Sequence, residues 1–282
     1  MVSAQNIRRA AVAGTWYPGS PSALAGALDR YLEGATSHLS GDLVALVAPH
    51  AGLVYSGPVA AYAYRLLRDR RFDVAVLVGP SHFVSFQGVS VVRSGGFETP
   101  FGVAAIDERS ATELLAATPI VREHAPAHVR EHSLEMQLPF LQHLAPSLPI
   151  VPLVMGHQTG ATARGLGDAL AAVLVGRRAL VIASSDLSHY HDAATAAALD
   201  RVVIDCVSRF DAEALQQALD AEPGHACGGG PMVAVLRAAR LLGARDAIVL
   251  NYADSGDVSG DKSAVVGYLA AALGAFDSSG SR

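Results

Sequence analysis

The sequence predicts an α/β fold with a mostly parallel central sheet flanked by helices, and three observations support this. Strand-like apolar runs alternate with helical patterns along most of the 282 residues, as β-α-β units produce. Several of these runs are continuously apolar, which is typical of strands buried on both faces of a parallel sheet. Hydrophobic residues make up 51% of the chain and charged residues 17%, a composition typical of a well-buried globular protein.

The periodicity of apolar residues places the individual elements. Strands are predicted at 43–48, 73–79, 88–93, 149–155, 179–184, 246–252 and 264–270. Helices are predicted at 58–68, 107–117, 133–144, 161–175, 192–209, 211–220 and 231–242, with Pro58 near the start of the first. The segment 95–102 predicts a turn in an antiparallel excursion at the sheet edge. We expect one domain over 1–282, with a disordered tail at 277–282.

Charge, cysteine content and missing motifs exclude several classes of protein. The net charge is −5 and no block of five basic residues occurs, which argues against binding to nucleic acid or to a membrane surface. Two cysteines are too few for a disulfide framework, and the apolar stretches fall short of the ~20 residues of a membrane span. We therefore expect a cytoplasmic protein. The fingerprints of dinucleotide-binding, P-loop and α/β-hydrolase proteins do not occur, which disfavours those activities.

Three histidines follow three of the predicted strands. His50, His82 and His189 come shortly after the strands at 43–48, 73–79 and 179–184. Because loops at the carboxyl ends of parallel strands converge on one crevice, we expect these histidines to meet there. His50 and His82 lie in turns containing Pro and Gly, which suits imidazole ligands of a metal. The alternative for each is a loop histidine bonded to a backbone carbonyl.

Cys227 is the third candidate metal ligand. It precedes a helix predicted to begin at Pro231, and a helix amino end favours a thiolate over a thiol. The alternative is a small buried apolar residue. His189 is either a fourth ligand or a proton-transfer group, and we favour proton transfer. Asp186, three residues before it, is expected to hold one of its ring nitrogens.

Glu131 and His132 complete the candidate site residues. They precede Ser133, a candidate N-cap for the helix 133–144, and either face the crevice or form a charged pair beside that cap. Glu135 lies in the first turn of the same helix, where capping and the helix dipole are sufficient to account for a glutamate. The candidate catalytic residues are therefore His189, Asp186, Glu131 and His132.

At these residues the chain resembles the Memo family, named for a mediator of cell motility, whose prokaryotic members are called the B component of the AmmeMemoRadiSam system. The resemblance extends in order over nearly the whole chain. The matching segments are Ala13-Gly14-Thr15-Trp16-Tyr17, Ala48-Pro49-His50-Ala51-Gly52, Gly79-Pro80-Ser81-His82, Thr99-Pro100, Glu131-His132-Ser133-Leu134-Glu135-Met136-Gln137-Leu138-Pro139, Ser184-Ser185-Asp186-Leu187-Ser188-His189 and Cys227-Gly228.

The resemblance carries expectations about fold, metal and partners. The Memo family is similar in fold to class III extradiol dioxygenases, non-haem iron enzymes that open catechol rings. It implies that His50, His82 and Cys227 bind a metal and that His189 matches the acid/base histidine of those enzymes. Fe(II) is the metal expected first, with copper or zinc as alternatives because a thiolate stands where the dioxygenases have a carboxylate. A radical SAM protein and a small AMMECR-type protein are the implied partners.

Three functions follow from these residues. The first is a metal-dependent oxidoreductase of dioxygenase ancestry, in which His189 moves a proton. The second is a non-catalytic module that presents the metal crevice to a small-molecule or peptide ligand. The third is a hydrolase with Cys227 as nucleophile, which requires a histidine base that is not committed to a metal.

Overall fold

A large mixed sheet forms the centre of the protein in the computed structural model, which describes residues 6–277. The strands are β1 (Ile7–Arg8), β2 (Gly41–Ala48), β3 (Val74–Pro80), β4 (Val89–Val91), β5 (Gly96–Thr99), β6 (Gly102–Ala105), β7 (Val121–Glu123), β8 (Ile150–Met155), β9 (Ala179–Ser184), β10 (Asp186–His191), β11 (Asp246–Asp254) and β12 (Val265–Phe276). The helices are α1 (Pro21–Gly34), α2 (Leu53–Tyr64), α3 (Glu108–Ala117), α4 (Pro126–Val129), α5 (Leu138–Leu144), α6 (Gly160–Leu174), α7 (Ala193–Ser208), α8 (Ala212–Ala221), α9 (Gly229–Leu241) and α10 (Gly256–Ser259). Short 3₁₀ helices occur at Arg65–Leu67, Glu135–Gln137 and Pro223–His225.

The middle of the central sheet is parallel, and its two sides are antiparallel. The strand order is β10-β12-β2-β9-β3-β8-β4-β7, with β11 also paired to β12. Strands β2, β9, β3 and β8 run parallel, whereas β12 is antiparallel to β2 and β4 is antiparallel to β8. The predicted α/β fold with a large helix-flanked sheet is confirmed. Because β2 and β3 both pair with β9, the carboxyl ends of these three strands lie side by side.

Burial of the central strands explains why their sequences are so apolar. Every residue of β3, β8 and β9 is buried. Helix α9 packs on β2, β3 and β9, and α2 packs on β2, β11 and β12. Removing one large aliphatic side chain from water contributes about 1.5–3 kcal/mol, so burial of these strands stabilises the sheet.

Two helices differ from their predicted positions. Helix α2 begins at Leu53, with Gly52 as its N-cap, so Pro58 lies inside it rather than near its start. The helix predicted at 133–144 does not begin at Ser133: a 3₁₀ helix from Glu135 precedes α5. Helix α1 was not predicted, although Ser20 caps it and Pro21 begins it, which is a recognisable start signal.

The segment 95–102 contributes to a separate small sheet. Strands β5 and β6 form an antiparallel hairpin, and β5 also pairs in parallel with β1. The antiparallel excursion is therefore present, but it is not an edge of the central sheet, because these strands pair with the amino-terminal segment. The predicted tail 277–282 lies outside the described residues except for Asp277. Within residues 6–277, no helix has the length and apolarity needed to cross a membrane.

Buried His128 on α4 makes stability depend on pH. Its Nε2 lies 2.9 Å from Ser90 Oγ, and burial, with the nearby Arg8 charge, lowers the pKa of its ring to about 4. A histidine in the unfolded chain titrates near pH 6.5, so below that pH the unfolded state takes up the proton first. The contribution of neutral His128 is complete above pH 6.5 and is lost as the pH falls towards 4, by roughly 3 kcal/mol.

We therefore expect the free energy of unfolding to fall between pH 7.5 and pH 4.5, and to fall less in a His128→Gln variant. Urea denaturation of metal-free protein at the two pH values measures this difference. An unchanged pH dependence in the variant would show that His128 does not contribute to the loss of stability.

Candidate metal centre

His50 lies in the short turn between β2 and α2. Its ring is buried, with a relative exposure of 2%, and its Nδ1 lies 2.9 Å from the Oγ of Ser184 at the end of β9. The backbone N–H groups of His50 and Ala51 donate to Asp186 Oδ1 at 2.7 and 3.2 Å. The adjacent ends of β2 and β9 thus fix the position of this imidazole.

His82 follows β3 in the same way and is held by Glu131. The Nδ1 of His82 lies 2.8 Å from Glu131 Oε1, and its backbone N–H donates to Oε2 at 2.6 Å. The N–H of Ser133 also donates to Oε1, at 2.9 Å. Burial opposes ionisation of Glu131, but these hydrogen bonds outweigh it and lower the pKa of the carboxyl to about 2. Glu131 therefore faces the crevice as a carboxylate that orients His82.

Three imidazoles converge beside these strand ends. One ring nitrogen from each of His50, His82 and His132 lies within 4.8 Å of the other two. The rings of His50 and His82 are 5.2 Å apart and nearly perpendicular, whereas those of His82 and His132 are stacked at 4.5 Å with an angle of 17° between their planes. The sequence predicted His132 as a catalytic residue rather than as a member of this group.

Two of the converging imidazoles, those of His50 and His132, are neutral near pH 7. Burial, with the neighbouring His82, lowers the pKa of His50 to about 3, and burial, with His50 and His82, lowers the pKa of His132 to about 4. A neutral imidazole presents a nitrogen lone pair that a cation can bind, whereas a protonated ring cannot act as a ligand. The donor set therefore fits a transition metal ion.

Cys227 lies beside this group. Its Sγ is 3.2 Å from His50 Nε2, and its backbone N–H donates to the carbonyl of Asp186 at 3.2 Å. Burial and the neighbouring Asp186 carboxylate raise the pKa of the thiol. The prediction that Cys227 is a thiolate is therefore wrong for the protein without a cation. The cost of burying a charged sulfur outweighs the stabilisation that the amino end of the helix provides.

His189 and Asp186 lie on β10, which the sequence predicted as a loop. The Nδ1 of His189 lies 2.8 Å from the carbonyl of Leu187. The prediction that Asp186 holds the His189 ring is wrong. Asp186 instead accepts hydrogen bonds from two backbone N–H groups in the turn that carries His50. Burial raises the pKa of the Asp186 carboxyl, which these hydrogen bonds partly offset.

Buried Asp200 supports the strand that carries His189. Its carboxylate accepts the backbone N–H of Ser188 at 2.9 Å and the hydroxyl of Tyr252 at 2.7 Å. A Cβ atom at Gly267 would lie 1.9 Å from this carboxylate, so glycine is required there. These contacts hold His189 against β12.

Aromatic side chains border the crevice on its open side. The ring of Trp16 lies 4.3 Å from that of His132 and is 38% exposed. Phe83 is 48% exposed and lies next to the same histidine, with the guanidinium of Arg130 stacked 4.8 Å above it. The sequence showed Trp16 in a matching segment but did not assign it to the site.

Glu135 ties the amino-terminal segment that carries Trp16 to the rest of the site. Its fully buried carboxylate accepts the backbone N–H groups of Ala11 and Val12 at 2.8 and 3.0 Å and the Tyr17 hydroxyl at 2.6 Å, and it pairs with Arg8. The prediction that Glu135 serves only to cap its own helix is wrong. Its carboxylate forms hydrogen bonds with residues 118 to 127 positions away in the sequence.

Comparison with known proteins identifies the family. The family model described as Memo-like protein matches residues 8–272. The chain belongs to the Memo family. A MEMO1 family protein of Methanothermobacter thermautotrophicus is 38% identical over 276 residues, covering 93% of this chain and 98% of the relative. A MEMO1 family protein of Methanosarcina mazei is 41% identical over 267 residues, covering 94% and 98%.

A solved structure supports the fold of this Memo-family protein. The crystal structure of an uncharacterised protein from Escherichia coli K12 superimposes with a TM-score of 0.54 and 18% identity. The match covers 80% of this chain and 99% of that one. The resemblance predicted from the sequence motifs is confirmed at the level of family and fold.

Proposed function

We propose that this Memo-family protein binds a divalent transition metal through His50, His82 and Cys227. The observation that carries the proposal is the convergence of three imidazoles, those of His50, His82 and His132, with a thiol 3.2 Å from the Nε2 of His50. Imidazole and thiolate are both established ligands of transition metals. A cation in the crevice would also offset the charge that the Cys227 sulfur gains on ionisation.

Two side chains compete for the third ligand position. His132 belongs to the group of ring nitrogens within 4.8 Å, but its ring is stacked nearly parallel on His82. The lone pair of an imidazole nitrogen lies in the ring plane, so stacked rings do not both point at one ion unless one of them turns. Cys227 is not a member of that group, but its sulfur contacts His50 Nε2 and has no ring plane to align with an ion. We therefore assign the third position to Cys227 and a neighbouring role to His132.

We propose Fe(II) as the resident metal and a non-haem oxidoreductase as the activity, with copper or zinc as alternative metals. The bound metal would supply Lewis acidity or redox chemistry to a ligand in the crevice. His189 would move a proton at that ligand, because its Nδ1 is bonded to the Leu187 carbonyl and no hydrogen bond from residues 6–277 occupies its Nε2. Asp186, Glu131 and His132 would position the crevice around it.

The second candidate function is a non-catalytic module that keeps the metal crevice. Its support is the exposed pair Trp16 and Phe83 beside His132, which offers aromatic surface to a small-molecule or peptide ligand. A radical SAM protein and an AMMECR-type protein are proposed partners, with family membership as the support. A cytoplasmic location is proposed on the two free cysteines.

The hydrolase is the least supported candidate. A cysteine nucleophile must ionise readily, whereas burial and Asp186 raise the pKa of the Cys227 thiol.

Replacing His189 with alanine separates the two leading functions. We expect the variant to keep most of its metal and to lose oxygen uptake with catechols, because a proton-transfer group is dispensable for binding but needed for turnover. Elemental analysis of anaerobically purified protein and an oxygen electrode provide the two readouts. Loss of metal from the variant would make His189 a ligand. A wild-type protein that binds metal but consumes no oxygen would favour the binding module.

A further inference from the structure

Ser184, the last residue of β9, lies at the centre of a buried polar network behind His50. Its Oγ is 2.6 Å from the carbonyl oxygen of Ser133, 2.7 Å from Gln137 Nε2 and 2.9 Å from His50 Nδ1. Ser184, Ser133 and Gln137 are all fully buried. Each hydrogen in this network must therefore be assigned to a contact within the protein.

The hydroxyl of Ser184 has one hydrogen to donate and two lone pairs that accept. A carbonyl oxygen only accepts, so the short contact to Ser133 uses the hydroxyl hydrogen. The contacts to Gln137 and His50 must then use the two lone pairs. His50 Nδ1 is consequently the donor and carries the ring proton.

The orientation of Gln137 is fixed independently. Its Oε1 accepts the hydroxyl of buried Tyr64 at 2.7 Å, and its Nε2 donates to the carbonyl of Pro49 at 3.0 Å as well as to Ser184. A reversed amide would place Oε1 against the Pro49 carbonyl, which offers no hydrogen. The Gln137 amide therefore donates to one lone pair of Ser184 Oγ. The second lone pair of Ser184 Oγ is left to accept from His50.

We propose that Ser184, oriented by Gln137, is a positioning residue that holds His50 in the tautomer with the proton on Nδ1. The lone pair of His50 Nε2 then faces Cys227 and the space where a metal would bind. Cys227 Sγ lies 3.2 Å from that nitrogen and 3.6 Å from the carbonyl oxygen of Asp186, and its one hydrogen can be donated to either acceptor. The role in metal affinity rests on the proposed metal site, whereas the tautomer does not.

Ser184 and Glu131 act on two different imidazoles. Glu131 accepts from His82 Nδ1 with a full negative charge, whereas Ser184 accepts from His50 Nδ1 with a neutral hydroxyl. Loss of an outer partner of this kind typically lowers metal affinity 10–100-fold. We expect Ser184→Ala to raise the Kd for Zn(II) within about that range.

The experiment uses full-length, metal-free protein with ¹⁵N-labelled histidine. Long-range ¹H–¹⁵N NMR spectra distinguish the two neutral tautomers, and replacement of His50 by alanine assigns its signals. We expect His50 of the wild type to carry its proton on Nδ1, and Ser184→Ala to weaken that preference while raising the Kd for Zn(II). Ser90→Ala is the matched control, because Ser90 is equally buried and bonds the ring of His128 outside the crevice. It should change neither readout for His50.

The outcomes separate the two proposals. If the NMR spectra of the wild type show the His50 proton on Nε2, the proposed positioning role of Ser184 is overturned by that measurement alone. A Ser184→Ala protein that loses Zn(II) affinity with an unchanged tautomer also overturns it, since the loss would then be structural. If the wild type binds no Zn(II) but shows the Nδ1 proton and loses that preference in Ser184→Ala, the tautomer role stands and the proposed metal site fails.

Discussion

Replacing His50 with alanine is expected to remove the bound metal. The loss of an outer partner already costs 10–100-fold in metal affinity, so loss of a direct ligand should exceed about 100-fold. The ring is buried just after the end of β2, and its loss leaves the site with one imidazole fewer. Elemental analysis of anaerobically purified protein measures the effect, with circular dichroism as a check on folding.

Three further variants identify the ligands. His143→Ala is the control, because His143 pairs with Asp29 at 2.7 Å outside the crevice, and it should keep its metal. Cys227→Ala should lose metal as His50→Ala does, whereas His132→Ala should keep most of it. The reverse pattern, with metal lost in His132→Ala and retained in Cys227→Ala, would move the third ligand to His132.

Replacing Glu135 with alanine is expected to cost about 3–5 kcal/mol of stability. The substitution leaves Arg8 beneath the surface without its partner and strips the backbone N–H groups of Ala11 and Val12 of their acceptor. Removing one partner of a buried pair is costly because the remaining charge stays desolvated. Urea denaturation of the metal-free protein at pH 7.5 measures the change.

A neighbouring ion pair provides the control for Glu135. Arg9 pairs with Glu98 at 2.7 Å, but the Arg9 side chain is 82% exposed. Exposed pairs contribute at most about 1 kcal/mol, so Glu98→Ala should have a small effect. A similar loss in both variants would contradict a special role for the buried carboxylate.

Local sequence patterns were sufficient to place the strands that carry the site. Strand β9 has the predicted bounds and β3 differs by one residue at each end, because both are apolar runs bounded by polar or turn-forming residues. The same patterns placed His50 and His82 after neighbouring strands. Strand β12 continues to Phe276, beyond the predicted 264–270, because its pairing with β11 extends to Gly274 and its pairing with β2 extends to Phe276.

Contacts between distant residues account for what the sequence could not predict. Asp186 bonds the turn of His50, 136 positions away, and Glu135 bonds Ala11, 124 positions away. Neither partner is visible from local spacing, so both carboxylates were assigned to nearer neighbours. The charge state of Cys227 likewise depends on burial and on Asp186, which outweigh the local helix end that the sequence shows.

X-ray absorption spectroscopy of the protein loaded with one equivalent of Zn(II) tests the metal site most directly. Zinc is bound by sulfur at ~2.3 Å and by imidazole nitrogen at ~2.0–2.1 Å, so the two ligand types are resolved. We expect one sulfur scatterer and at least two imidazoles, and we expect the sulfur to vanish in Cys227→Ala. Zn(II) that dialyses away from the wild type, or a bound ion without sulfur in its shell, would contradict a centre built from His50, His82 and Cys227.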